Sequence, residues 1–506
     1  MTTAPPLPER VEGAQWHRLS RRMLLVHPIL EVGRALPAIV GAFLAGGSHG
    51  NPYVGLIVTA AVVVLSLTRW FTTRLRITPQ QVQLRSGLLR RKSIATARDR
   101  IRTVDVSSHL LHRMLGLARV VIGTGNNDRR REGRLVLDGL TVADAARLRD
   151  ELLHSVVVPA PLAEPGAAAD ELARLDRRWI RYAPFTLSGV VTGLVIWGFY
   201  SRVTGESGVD LARSGPLRAV THALERLPTG ERVVVVTLAL VAFVAITSTV
   251  GYVLAFWNFR LLRHSGGTLQ VTRGLVTTRS TSIERGRLVG ATLSEPLPLR
   301  AVGATRSTAV ATGLRTGRGA ERGGEVLLPP APRRVGQRVV TRVLDGAPAL
   351  SARLRGHGPA ARRRRLLRAV ALGAVLTVVA AIAWAAGAPS WPLGVAAALI
   401  VLGVPLGLDR AAALGHARAG GYLVTRSGSL VRRRSVLDER AIIGWNLRAT
   451  FFQRRLGLVT LTATTAAGAQ GYRVLDVPAE DGIALVEGIS PELIRPFRPT
   501  LPARTP

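Results

Sequence analysis

The sequence predicts an α+β membrane protein: six transmembrane helices arranged as three hairpins, each followed by a small barrel or bent-sheet domain closed by a C-terminal helix. Three observations carry this expectation. Six apolar runs come in pairs, basic side chains crowd the segments between the pairs, and those segments repeat one another. At 506 residues the chain has room for several domains. Its formal net charge is +36, nearly all from arginine, with Lys92 as the one lysine, and 47% of the residues are hydrophobic. Such charge favours anionic partners, while such apolar content exceeds what a nucleic-acid-binding domain needs. The absence of cysteine excludes disulfides, thiolate nucleophiles, Cys-ligated zinc and iron–sulfur clusters. The N-terminal stretch "MTTAPPLPERVEGAQWHRLSRRMLL" is polar, with prolines and acids, and does not have the pattern of a cleavable signal peptide.

The expected organisation runs as follows. A cytoplasmic segment (1–28) leads into a first hairpin (29–71) and a first strand-rich domain (72–155). A linker (156–182) precedes the second hairpin (183–257) and a second, divergent domain (258–347). A basic linker (348–368), the third hairpin (369–408), the third domain (409–490) and a Pro-rich tail (491–506) complete the chain. A span needs about 20 apolar residues. "YVGLIVTAAVVVLSLTRWF", "VVVVTLALVAFVAITSTVGYVLAFW" and "AVALGAVLTVVAAIAWAAG" reach it, whereas the first run contains Glu31 and Arg34 and also reads as a buried core helix. Glu31 and Arg34 are spaced to pair on one helix face. The connections 48–52 and 388–390 carry no Arg or Lys, so the basic segments between hairpins and both termini are expected in the cytoplasm. Trp70, Trp179, Trp197, Trp257, Trp384 and Trp391 fall near the expected interfaces.

Each domain reads mainly as strand. "QVQLRSGLLRRKSIAT" alternates around Ser86-Gly87 as a hairpin does, "IRTVDVSS" alternates again, and "ARVVIGTG" and "GRLVLDGL" flank a turn. Thr141 or Asp144 then caps a helix whose apolar face includes Ala145, Leu148 and Leu152. An ungapped offset of 341 lays Arg426-Ser427-Gly428 on Arg85-Ser86-Gly87 and Gly457-Leu458 on Gly116-Leu117. An offset of 187 lays Gly274 on Gly87 and Gly303 on Gly116, so the middle copy keeps the spacing though it has lost several letters. Gly87, Gly274 and Gly428 should occupy equivalent turns.

The arrangement "RSG-x-L-R-R … R-I-x-x-V … L-x-x-R-x-L-G-L" directly after a two-helix hairpin resembles the bacterial pleckstrin-homology-like (bPH) domain, and three copies on six spans resemble the YdbT-type membrane proteins. The resemblance is strong for the outer copies and weak for the middle one. It implies a PH-like fold and a location in the inner membrane, and supplies no catalytic residue.

Chemistry is sparse in the sequence. His109 and His112 have HxxH spacing but lack a nearby third ligand, and Thr450 and Gln453 replace them in the third copy, so a polar turn is expected rather than a metal site. "GTGNND" lacks the strand-to-helix context of a phosphate loop. No cofactor, catalytic residue or metal ligand is expected, and the chain reads as a non-catalytic interaction or scaffold protein, with a transporter or membrane enzyme as the alternative class. Arg90, Arg91, Lys92, Arg432, Arg433 and Arg434 are the candidate contacts for anionic membrane lipids; as solvated cytosolic charge they would serve topology alone. A protein partner or self-association stays open. Nucleic acid is not expected, because the domains lack interleaved aromatics and a DNA-reading helix.

Overall fold

The structure, a computed structural model, describes residues 17–153, 170–201 and 222–494, apart from gaps at 49–52, 87–91, 124–134 and 313–325 and scattered positions within these ranges. Gly87, Arg90, Arg91, the "GTGNND" turn beyond Gly123 and the side chains of Arg34, Lys92 and Leu152 lie outside the described residues.

In chain order, β1 (His17–Arg18) precedes helices α1 (Met23–Ser48) and α2 (Tyr53–Thr72). Strands β2 (Arg74–Ile77), β3 (Gln81–Ser86), β4 (Lys92–Ala97) and β5 (Thr103–Ser108) lead to the short α3 (Leu110–Met114). Then come β6 (Leu117–Gly123), β7 (Leu135–Thr141) and α4 (Val142–Leu153). After β8 (Asp170–Arg174), a 3-10 helix (Arg177–Thr186) and α5 (Thr229–Phe256), the order recurs. It runs β9 (Arg260–Arg263), β10 (Leu269–Arg273), β11 (Thr278–Ile283), β12 (Leu288–Pro296), α6 (Leu297–Ala301), β13 (Ala304–Ala311), β14 (Val326–Pro332) and α7 (Arg333–Val343). Helices α8 (Gly358–Ala385) and α9 (Trp391–Ala412) introduce the third round. Its elements are β15 (Gly415–Ala419), β16 (Tyr422–Ser427), β17 (Val431–Asp438), β18 (Gly444–Arg448), α10 (Phe451–Arg455), β19 (Leu458–Thr464), β20 (Gly471–Pro478) and α11 (Ala479–Ile489). The sequence offsets map α3 onto α6 and α10 residue for residue. The same glycine follows each: Gly116, Gly303 and Gly457 have φ of +66°, +68° and +63°. In every round the carbonyl of that glycine accepts the N–H of the first residue of the closing helix: Val142, Arg333 and Ala479.

The chain divides into two units, Met1–Ala169 with Leu187–Glu284, and Asp170–Thr186 with Arg285–Pro506. The boundary falls inside the second round. In the first unit, an antiparallel sheet β1-β2-β3-β4 and strands β5, β6 and β7 enclose Leu75, Val82, Leu84, Val104, Val120, Ile122, Leu135 and Leu137. Helix α4 closes this core with Ala145 and Leu148, as its periodicity predicts. Each such buried aliphatic side chain contributes roughly 1.5–3 kcal/mol relative to exposure. The Thr141 hydroxyl caps α4, accepting the Asp144 N–H at 3.1 Å. Edge to edge with β5 lies β11, extending the sheet as β7-β6-β5-β11-β10-β9.

The second unit repeats this device. Its six-stranded sheet runs β14-β13-β12-β17-β16-β15, so β12 of the second round is paired with β17 of the third. Strands β18-β19-β20 form a separate sheet, and Leu423, Leu437, Leu461, Val474, Val477, Leu485 and Val486 form the third core. Among the described residues three helices, α5, α8 and α9, are long and apolar enough to cross a membrane. The described apolar stretches of α1 and α2 are shorter, Met23–Gly33 and Gly55–Thr68. The run from residue 183 starts differently from expectation. Ala183–Thr186 belong to the 3-10 helix, and Trp179, expected at an interface, is buried in that helix with Tyr182. Helices α8 and α9 pack along small residues. A Cβ on Gly373 would stand 2.7 Å from Ile400 Cγ1, and one on Gly403 would stand 2.8 Å from the Ala369 carbonyl oxygen.

Candidate functional site

The polar ends of α8 and α9 meet the third domain around a buried carboxylate. Strand β20 is bulged, and Asp476 there adopts φ +54°, a left-handed conformation that Asp tolerates better than most residues. Asp476 is fully buried. It accepts a hydrogen bond from Arg364 Nη1, one from Arg365 Nε at 2.6 Å and one from Gln453 Nε2 at 2.7 Å. Two guanidinium groups on the first turns of α8 are thereby fixed to the domain that follows the helix pair.

At the same end of the pair, Asp409 near the C-terminus of α9 bridges Arg300 at 3.0 Å and Arg432 at 2.8 Å. Arg300 also reaches the Ser429 carbonyl at 3.4 Å, and the Leu297 N–H donates to the Leu430 carbonyl at 2.7 Å. Arg426 donates to the last carbonyls of α9, those of Ala412 at 2.9 Å and Ala413 at 3.1 Å, where a cation also complements the negative end of the helix dipole. The tight turn that presents Ser429 and Leu430 requires glycine: Gly428 has φ +99°, and a Cβ would stand 2.1 Å from the Val431 carbonyl oxygen. Gly274 sits at the matching place between β10 and β11, with φ +110° and the Thr277 carbonyl oxygen at the same 2.1 Å.

Between these two anchors opens a cavity of about 410 Å³, lined by Arg365, Arg368 and Arg410, by the Gly428 turn and by Leu414 and Leu475. Of the three arginines that line it, Arg365 is paired with Asp476, and no carboxylate stands among the lining residues. The hollow therefore carries excess positive charge at the end of two apolar helices, with aliphatic side chains on part of its wall. That combination suits an anionic head group attached to acyl chains.

The residues expected from sequence are distributed unevenly around it. Arg432 is tied to Asp409, and Arg434 donates to the Ala349 and Ala352 carbonyls at 3.3 and 3.1 Å. Burial pulls the Arg434 pKa below the usual arginine value, with Arg426 the next cause, yet a guanidinium stays charged. Arg433 is exposed, opposite Ser294 in the β12–β17 register. Lys92 begins β4. The cavity itself is built from Arg365, Arg368 and Arg410, of which only Arg365 belongs to an arginine run. The signal in sequence was weak: one cation three residues after another at the start of a span, and one at the end of the next.

The HxxH pair forms a polar turn. His109 Nδ1 lies 2.9 Å from the Thr277 hydroxyl, and buried His112 has Nε2 at 3.3 Å from Asp138. Gln453 fills the position of His112 in the third round. Among the described residues no three His, Cys, Asp or Glu side chains stand together as a metal site would require. A second histidine pair is present beside α8. His357 Nε2 lies 3.0 Å from His416 Nδ1, and His357 Nδ1 lies 2.8 Å from the Leu475 carbonyl oxygen. Desolvation, and then its neighbour His357, push His416 down to about 4.

Residues 33–156 and 365–492 match the family model of the bacterial PH domain. No curated protein and no solved structure matches the chain. The matched segments are the first and third rounds of the repeat, each with most of the helix pair before it, and through them the chain belongs to the bacterial PH domain family.

Proposed function

We propose that this is a multi-pass inner-membrane protein of the YdbT type. In this reading six spans form three hairpins, three PH-like domains face the cytoplasm, and the middle domain is a third, divergent copy. Its role is non-catalytic: the domains hold anionic lipid at the inner leaflet and act as a scaffold there, in envelope maintenance or resistance to membrane-active compounds. The observation that carries this is the cavity edged by Arg365, Arg368 and Arg410, a cationic hollow with apolar walls at the ends of α8 and α9. A transporter would carry its polar groups within the spans, whereas the contact between α8 and α9 is a close seam at Gly373, Gly403 and Gly407.

Arg368 and Arg410 are the residues to change, because Arg365 also anchors Asp476. Two cations near the head groups contribute about 2 kcal/mol, roughly 30-fold in lipid retention. The double variant Arg368→Gln/Arg410→Gln, purified in mild detergent, is expected to lose phosphatidylglycerol or cardiolipin by about that factor in native mass spectrometry while still inserting. Retention equal to the parent protein would remove the lipid from this reading.

A further inference from the structure

We propose that the chain assembles head to tail with further copies of itself, the edge of β4 in one copy adding to the edge of β18 in the next. The observation is a seam that the fold uses twice. In the first unit β11 pairs antiparallel with β5, with Thr278 opposite Ser108, Ser280 opposite Val106 and Ser282 opposite Val104. In the second unit β17 pairs antiparallel with β12, with Arg432 opposite Glu295, Arg434 opposite Leu293 and Val436 opposite Ala291. Under the ungapped sequence offsets these are the same register: Thr278 corresponds to Arg432 and Ser108 to Glu295.

The seams share more than the ladder. At each, one hydroxyl pairs across it from the same position, Thr281 with Asp105 at 3.0 Å and Ser435 with Thr292 at 3.0 Å. One arginine in the short helix reaches a carbonyl in the glycine turn of the next round, Arg113 to Leu275 at 3.3 Å and Arg300 to Ser429 at 3.4 Å. A rule thus links the second sheet of one round to the first sheet of the next. Within a single chain three rounds have two such seams.

The rule leaves one unused strand at each end of the series. Strand β4 occupies the position of β11 and β17, and it ends its sheet. Strand β18 occupies the position of β5 and β12, and it too ends its sheet. Among the described residues neither strand has a second neighbour, so both present ladder groups along an edge that proteins normally cover or protect. Neither contains proline. Apolar side chains on and around β18 stand open to solvent: Ile443 is 68% exposed, Leu447 50% and Phe452 69%. Arg454, third in the series begun by Arg113 and Arg300, is exposed.

Carrying the register forward by the same offsets sets Ser93 opposite Leu447, Ile94 opposite Asn446 and Ala95 opposite Trp445. Small residues then face large ones on one side of the ladder. The hydroxyl pair of the two existing seams is replaced by Ile94 and Asn446, so the new seam rests on backbone bonds and on Leu447. Lys92 comes opposite Arg448, a like-charge pair that salt relieves, so association tightens as ionic strength rises. Because the two edges differ, the contact is heterologous and propagates to a closed ring or an open row.

The chain's lack of cysteine makes the test direct. Two full-length versions with different tags, one carrying Ser93→Cys and the other Leu447→Cys, are co-expressed and their membranes mildly oxidised. A disulfide between the two tags is expected, at several-fold higher yield than for Ala95→Cys with Arg448→Cys, which is three positions out of register. Native mass spectrometry of the cysteine-free chain should show more than one copy, and Leu447→Arg should weaken the assembly about tenfold while leaving the melting temperature unchanged. A monomer at all salt concentrations would overturn the proposal. So would a cross-link that forms only when both cysteines share one chain, because the edges then close within a single molecule.

Discussion

Asp476 should be the residue whose loss costs the third domain most. It is fully buried, and it is the acceptor for Arg364, Arg365 and Gln453 together. Replacing it with Ala leaves the Arg364 guanidinium, itself only 9% exposed, without its carboxylate. Removing one partner of a buried pair costs about 3–5 kcal/mol, because the charge that remains is still desolvated. The Ala side chain must also take φ +54°, which adds about 1–2 kcal/mol for a residue with a Cβ and no local hydrogen bond. Asp476→Gly removes the charge but not the backbone freedom, and Asp476→Asn keeps an acceptor and tolerates the same φ. The expected order of stability is therefore wild type, Asn, Gly, Ala. For a domain pair of this size the summed cost for Ala, about 4–7 kcal/mol, corresponds to roughly 8–28 °C of melting temperature. Thermal unfolding of the full chain in mild detergent, followed by tryptophan fluorescence, measures it. Equal melting temperatures for Asp476→Ala and wild type would refute the claim that this carboxylate holds α8 to the domain.

Two further outcomes follow from the structure. The histidine pair makes the third domain sensitive to acid: the folded pKa of His416, about 4, lies below the unfolded value near 6.5, so the unfolded chain binds the extra proton. Stability is complete above pH 6.5 and is lost as pH falls toward 4, by up to about 3 kcal/mol. His357, Asp481 and Arg355 are the neighbouring charges, and they are unchanged in His416→Gln, whose melting temperature should fall less between pH 7 and pH 4.5. Identical pH profiles would rule the pair out as the cause. For topology, reporter fusions at Gly125, Gly317 and Gly468 should report cytoplasm and one at Gly208 the outside; an external signal from any of the first three would break the three-hairpin scheme.

Sequence periodicity located most of the secondary structure because it reports burial. The alternation in "IRTVDVSS" and "ARVVIGTG" becomes β5 and β6, and the apolar stripe of α4 delivers Ala145 and Leu148 to the core. Glycine spacing was legible for a different reason, since positions such as Gly303 and Gly428 have φ values that other residues rarely take. The cavity was not legible. Arg365, Arg368, Arg410 and the Gly428 turn come from α8, α9 and the connection between β16 and β17, and the packing of α8 on α9, the pairs at Asp476 and the Asp409–Arg432 bridge bring them together. The basic runs that stand out in sequence are partly consumed elsewhere, Arg432 on Asp409 and Arg434 on two carbonyls. A run of arginines reports composition; which of them stays available is decided by tertiary contacts.

The seams explain why the middle round lost its letters but not its spacing. Its first sheet has β11 against β5 and its second has β12 against β17, so it is the one round with both edges in a seam. A ladder of backbone hydrogen bonds is indifferent to most side chains but intolerant of a one-residue slip, which would turn every side chain to the opposite face. An insertion or deletion within β11 or β12 would slip the seam that strand makes, whereas substitutions along them need only keep the size and polarity of the facing pair. Thr281 and Asp105 at one seam and Ser435 and Thr292 at the other show how little the facing pair has to share. The basic hairpin end is what this round gave up: Thr277 and Thr278 stand where the third round has Val431 and Arg432. At that point Thr278 faces Ser108, while Arg432 faces Glu295 and binds Asp409. Charge is kept where a carboxylate meets it and lost where a hydroxyl does.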